Sequence, residues 1–422
     1  MAVLVSAPCP LALKKSFGFG DRLGLATPGH LAAVRRFPDF APIFAQQSIR
    51  EMTRTQRTPE EVMSAAQRAL DAAGYVGQWG ADGDHLKTPE DVQRVATAGF
   101  CFFTIDPSAY VNNAADTLEE VALRSEVAQL EQEGLFEGFD WKDYYLNRVF
   151  SVGSKLPPLR YDEESLFRAA VKYARATAHA EQMGLAIAQA SAGRGEVEVS
   201  VDETDSPTSP LEHLFFALEL QRRGVRNLVS LAPRFIGEFE KGIDYKGDLV
   251  RFEKLLQVHV AISKFAGPYK ISIHSGSDKF SAYPIIGRVC RDLLHVKTAG
   301  TSYLEALRVV ARTAPALFAE IAAYCRGRFE TDRASYHIST TLEQVHSLPS
   351  FQGRSEEAVY LDEVVGRQLL HVTFGSVLTQ GRAASGRTFK EGILEVLHAQ
   401  ADLHAEFLEG HFVKHLSQLN AG

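Results

Sequence analysis

Short apolar runs rich in β-branched and aromatic residues alternate with longer stretches of helical periodicity from the N-terminus to about residue 312. Runs of this kind, joined by amphipathic segments, are the pattern of parallel strands linked by crossover helices. Eight runs are predicted as strands, at 17–22, 43–47, 76–80, 100–105, 196–202, 227–231, 269–274 and 292–296. Eight strands close a (β/α)8 barrel, so the expected fold class is α/β, a TIM-like barrel. Residues 107–195 break the rhythm with helical patterns at 114–134 and 161–190, which predicts a helical insertion after strand 4, beside or over the barrel mouth. The expected division is 1–106 for the first half of the barrel, 107–195 for the insertion, 196–312 for the second half, and 313–422 for a helical C-terminal extension. That extension is expected to pack on the barrel or on a second subunit of a homo-oligomer.

In such a barrel the chemistry sits where strands give way to loops at their C-terminal ends. The stretch 269–280, YKISIHSGSDKF, reads as a buried strand that stops at His274 and a Ser-Gly-Ser turn, so His274, Asp278 and Lys279 are expected at the mouth. The alternative for His274 alone is a buried imidazole satisfied by a backbone carbonyl. In GQWGADGDHLKTPED the predicted strand 76–80 passes into a loop carrying Asp84, His85 and Lys87, ahead of a helix capped by Thr88. The fourth run ends at Asp106. The fifth ends in Asp202, Glu203 and Asp205, three carboxylates that repel one another unless a cation or hydrogen bonds offset them. After the eighth run, Lys297, Thr298, Gly300, Thr301 and Ser302 stand at a helix start and form a candidate anion cradle for a phosphate or carboxylate; an ordinary helix cap is the plainer reading.

Composition narrows the ligand. A net charge of −7 provides no basic excess for nucleic acid or a membrane surface, which leaves a small molecule. The four cysteines, Cys9, Cys101, Cys290 and Cys325, are far apart and form no C-x-x-C pair, which suits a reducing cytoplasm. The apolar opening MAVLVSAPCPLALKK has its basic pair after the run, the wrong order for an export signal, and no stretch is long and apolar enough for a membrane span.

Gathering the strand ends brings Asp84, His85, Glu203 and His274 to one mouth. Two imidazoles and a carboxylate suit a divalent Zn, Mn, Co or Ni ion acting as a Lewis acid on a ketone, with Asp84 moving a hydroxyl proton and Glu203 as ligand or second acid–base group. The segment GDHLKTPEDVQ resembles the Asp-His segment of metal-dependent class II aldolases, and His-Ser-Gly-Ser at 274–277 resembles their later His-Gly turn. That resemblance implies proton transfer for Asp84 and metal binding for His85 and His274; the third ligand stays open among Glu203, His295 and His371.

Over its full length the chain resembles the tagaturonate epimerase family, through GFGDRLGLATPGH, AQQSIRE, ADGDHLKTPED, FTIDPS, VDETDSPTSPLEH, HSGSDKFSAYPIIGR and LHVKTAGTSYLEALR. The resemblance implies a metal-dependent isomerase interconverting D-tagaturonate and D-fructuronate. The inverted carbon in these ketouronates is β to the ketone, so its hydrogen is not acidic. Inversion therefore requires either transient oxidation by a nicotinamide or cleavage and re-formation of a carbon–carbon bond. GFGDRLG has the wrong glycine spacing for a dinucleotide loop, so retro-aldol chemistry is expected, with the 297–302 cradle holding the substrate carboxylate. The competing readings are an aldolase that releases its fragments and a non-catalytic aldolase partner subunit.

Overall fold

Eight parallel strands close a barrel in the computed structural model, which describes residues 7–348 and 354–422. They are β1 (Ser16–Gly20), β2 (Ala41–Ser48), β3 (Gly80–Leu86), β4 (Phe102–Ile105), β5 (Glu196–Val201), β6 (Leu228–Pro233), β7 (Lys270–Ile273) and β8 (Leu294–Thr298). Each strand pairs with the next in sequence, and β8 pairs with β1. The expected barrel is present. The first six residues of the apolar opening stretch and positions 349–353 of the C-terminal extension lie outside the described residues.

The interior of this barrel is polar. Along β5, Glu196, Glu198 and Ser200 alternate with Val197, Val199 and Val201, and the valines belong to the core formed with the surrounding helices. Barrel interiors are commonly filled by branched apolar side chains. Here Leu11, Ile43 and Phe102 form a small apolar cluster that plugs the N-terminal end. Above it Asp82, Glu198, Lys270, His295 and Lys297 are all buried.

One strand differs from the expected boundaries in a way that matters. The third was predicted at 76–80, with Asp84 and His85 on the loop after it, whereas β3 runs from Gly80 to Leu86 and carries both residues. Its sequence, GADGDHL, has the glycines and acids of a turn. The strand forms nonetheless because Asp82 and Asp84 point into a polar interior while Ala81 and Leu86 pack in the core. The following helix, Pro89–Thr97, starts as expected: the Thr88 side chain accepts from the Asp91 amide, and Asp91 returns the bond.

Between β4 and β5 the 28-residue helix Glu163–Ala190 packs against Pro89–Thr97 and Pro210–Arg222 and so takes the barrel's own helical position there. Residues 107–162 lie outside it. Trp141 packs on Phe167, and Tyr145 packs on Phe215 of the next barrel helix, so this segment buttresses the flank. After β8 the helix Thr301–Thr313 joins Pro315–Asp332, Val364–Thr379 and Phe389–Ala399 in a second apolar core. The chain then returns to the barrel. Its last helix, Ala401–Asn420, packs against Thr27–Arg35 and Tyr283–Cys290 and completes the helical ring. Among the described residues no helix is long and apolar enough to cross a membrane.

Candidate active site

At the C-terminal end of the barrel a cavity of roughly 370 Å³ opens above the polar interior. Asp84, His85, Glu203, His274 and Lys297, all singled out in the sequence, line it. The two imidazoles meet edge to face with ring centroids 5.1 Å apart. One ligand-type atom from each of Asp84, His85 and His274 lies within 4.8 Å of the others, and a second such trio is formed by His85, Asp106 and Glu203. Strands separated by most of the chain therefore deliver their polar ends to one point.

Charge explains how the point is built. Lys297, on the inward face of β8, stands 2.7 Å from Asp82, 2.8 Å from Asp84 and 2.9 Å from Glu198, and also donates to the Thr104 hydroxyl. Burial works against its charge, but the three carboxylates win and raise its pKa well above the ordinary lysine range. Burial likewise disfavours the Asp84 anion, yet Lys297, His85 and His274 hold that carboxyl well below its usual range. Asp82 goes the other way. Burial, reinforced by the charges of Asp84 and Glu198, pushes it up to about 7 despite Lys297.

Each imidazole is backed by carboxylates. His85 Nδ1 lies 3.3 Å from Asp106 and its Nε2 3.9 Å from Asp84. His274 Nε2 lies 2.7 Å from Glu198 and its Nδ1 3.2 Å from Asp202. Burial alone would lower both pKa values. Asp84 and Asp106 instead push His85 up to about 9, and Asp202 with Glu198 pushes His274 up to about 10. Two imidazoles charged at neutral pH among four carboxylates mark a well of negative potential, which a divalent cation would satisfy in place of the two protons. The donor set fits such an ion: imidazole and carboxylate ligands, each imidazole oriented by a carboxylate behind it.

Several expected site residues take other roles. Asp278 and Lys279 do not face the cavity. The Asp278 carboxylate accepts from Arg367 at 2.7 Å, and its amide donates to His415 Nε2 on the last helix. Lys279 is fully buried and donates to the carbonyls of Glu240, Ile243 and Ser277. They miss the mouth because the turn at 275–277 carries the chain back toward the C-terminal helices. The cradle at 297–302 is not assembled either. Lys297 is held by carboxylates inside the barrel, Thr298 donates to the Gly18 carbonyl, Thr301 bonds Ser277, and Ser302 bonds His30. Gly300 stands against the His371 ring. Lys87 is half exposed and pairs with Asp106 at 3.3 Å, behind the site rather than in it. Of the competing third ligands, His295 is buried lower in the barrel on Ser16, and His371 lies beside Arg22. Glu203, 41% exposed and 3.5 Å from Arg50, is the one at the cavity.

Asp82, Glu198, Arg50 and Lys241 were missed as site residues, whereas Asp202 stands at the strand end where the sequence put it. The alternation of β5 was visible, but alternation separates two faces without saying which is inside. Lys241 sits in a loop with no periodicity to mark it.

Comparison with known proteins agrees along the whole chain. The family model described as tagaturonate epimerase matches residues 3–419. A tagaturonate/fructuronate epimerase of Thermotoga maritima is 43% identical over 417 residues, covering 98% of this chain and 82% of that protein. A glycerol-complexed crystal structure of the fructuronate-tagaturonate epimerase from Cohnella laeviribosi superposes with a TM-score of 0.90 at 37% identity, over 99% of this chain and 83% of that one. The native crystal structure of the same enzyme gives a TM-score of 0.88 at 38% identity, over 98% and 83%.

Proposed function

The chain belongs to the tagaturonate epimerase family and is an epimerase, and from that premise we propose that it interconverts D-tagaturonate and D-fructuronate by metal-assisted retro-aldol cleavage and re-addition. The observation that carries this reading is the convergence of Asp84, His85 and His274 beside an ionised, lysine-paired carboxylate network. His85 and His274 would hold a divalent ion together with Glu203, which has only a long contact to Arg50 to give up. Such an ion, whether Zn, Mn, Co or Ni, supplies Lewis acidity toward the ketone and a neighbouring hydroxyl. Asp84 is assigned the proton. It is an anion facing the cavity beside both imidazoles, and although Lys297 lowers its basicity its position makes it the acceptor for the proton of the hydroxyl on the inverting carbon. Loss of that proton turns the carbon into an aldehyde as the bond to the ketone half breaks, and the pair of that bond passes to the ketone half as an enolate. Rotation of the aldehyde presents its other face, and re-addition with return of the proton from Asp84 gives the epimer. The buried carboxylates behind the imidazoles fix the rings so that the two halves stay in register.

The four free cysteines fit action in a reducing cytoplasm. The decisive variant is Asp84→Asn, nearly isosteric and unable to take the proton. It is expected to fold and bind metal while epimerisation falls by at least 10²-fold, the ordinary weight of a general base. Wild-type-like turnover of D-tagaturonate by this variant would remove Asp84 from the reaction.

A further inference from the structure

The cavity has a cationic side that the proton chemistry does not use. Lys241, in the loop after β6, lines it together with Arg50. Its Nζ donates to the Ser275 hydroxyl at 2.6 Å. Among the described residues it has no ion pair, although it stands beside carboxylate-rich walls. Burial and the nearby Arg50 charge both act against its ammonium, while Glu203 and Asp202 act for it. An ammonium kept beside another cation, with a neutral hydroxyl as its hydrogen-bond partner, retains capacity for an anion.

The loop that carries it is fixed on both sides. Buried Lys279 donates to the carbonyls of Glu240 and Ile243, and Arg367 donates to the carbonyl of Gly242 at 2.7 Å. Glu240 is held in turn by Ser339, Gln368 and Lys246. The backbone carbonyls flanking Lys241 are thus anchored by buried Lys279 and by Arg367, whose guanidinium is paired with Asp278. Rigid presentation of one side chain at a cavity wall is what a specific contact needs, because little ordering entropy remains to be lost on binding.

We propose that Lys241 is the specificity-determining anchor of the substrate carboxylate, with Arg50 as the second cation of that subsite. The inference rests on the ketouronate reading of the site. An acid end held at Lys241 also keeps the aldehyde half, which carries the carboxylate, in the cavity while the carbon–carbon bond is open.

The test compares Lys241→Met and Lys241→Arg with wild type on D-tagaturonate and on the neutral ketose D-tagatose, with metal content and thermal midpoint recorded for each. Lys241→Met is expected to raise KM for D-tagaturonate at least tenfold with a smaller change in kcat, and to lower kcat/KM for D-tagatose by at least tenfold less. Lys241→Arg is expected to restore most of the D-tagaturonate KM. Equal losses on both sugars, or an unchanged KM for D-tagaturonate, would overturn the anchor. Where D-tagatose turnover is too slow to follow, the KM change and the arginine rescue decide. If wild type fails to turn over D-tagaturonate, the epimerase reading falls by itself; calorimetric titration with D-tagaturonate then judges the anchor, which stands if Lys241→Met abolishes wild-type binding and falls if it does not.

Discussion

Lys297 is the residue on which the interior of the barrel depends electrostatically. One ammonium, 3% exposed, faces Asp82, Asp84 and Glu198 at 2.7 to 2.9 Å. Removing one member of a buried charge network leaves the others uncompensated, which destabilises a protein by about 3–5 kcal/mol. Lys297→Met, similar in length and uncharged, is therefore expected to lower unfolding free energy by about that amount in urea titrations, in addition to abolishing activity. A loss below about 1 kcal/mol would mean that the carboxylates are neutralised by protons instead. The sequence identified Lys297 as a site residue but assigned it the wrong partner. A lysine just before a helix start looks like an anion ligand when the strand it belongs to is predicted two residues short. His274 was legible for the opposite reason: an apolar strand that stops at an imidazole and a glycine turn leaves little room for error about where that side chain emerges.

Strand positions were legible where the outward face is apolar, as in β4, β5 and β7, and shifted where both faces are atypical. In β3 the inward face is acidic and the outward face includes Gly83, whose added Cβ would sit 2.8 Å from Val95, so this strand has neither the composition nor the alternation of an ordinary one. The start of the helix after β3 was clearer, because capping residues act locally: Thr88 caps Pro89–Thr97 as its sequence predicts. What no local signal reveals is which helix fills the last place in the ring. The contact of Thr27–Arg35 with Ala401–Asn420 joins the two ends of the chain through Gly29, where an added Cβ would come 2.4 Å from Leu408 Cβ and 2.8 Å from the Ala405 carbonyl. Gly29→Ala is expected to cost about 1–3 kcal/mol of stability by overpacking, although alanine is the better helix former by about 1 kcal/mol. A stability gain in thermal melts would show that the two helices can part without loss.

The whole molecule couples its site to its stability through the barrel. The proposed ligands His85, Glu203 and His274 stand on β3, in the loop after β5 and at the end of β7, so an ion held by them would tie together strands far apart in the chain. The second core is not separate from this barrel, because the chain leaves β8 to build it and then returns with Ala401–Asn420 to pack on Phe17 and Phe19 of β1 and on Thr27–Arg35 and Tyr283–Cys290. One cooperative transition is the expected behaviour. A ligand that binds only the folded state at about 100 times its Kd adds roughly 2.7 kcal/mol. With an unfolding entropy of about 2 cal/mol/K per residue, a chain of 422 residues changes stability by roughly 0.9 kcal/mol per degree near its midpoint, so the melting temperature should rise by about 3 °C. Stripping the protein with a chelator should remove activity and lower the midpoint by that modest amount without unfolding the barrel, since Lys297 and the paired imidazoles already balance the carboxylates in the ion's absence. Adding back Zn, Mn, Co or Ni one at a time while following both activity and midpoint identifies the ion. Full activity after exhaustive chelation, with no thermal response to any of the four, would exclude a metal from the reaction and return the electrophilic role to the cationic side chains of the cavity.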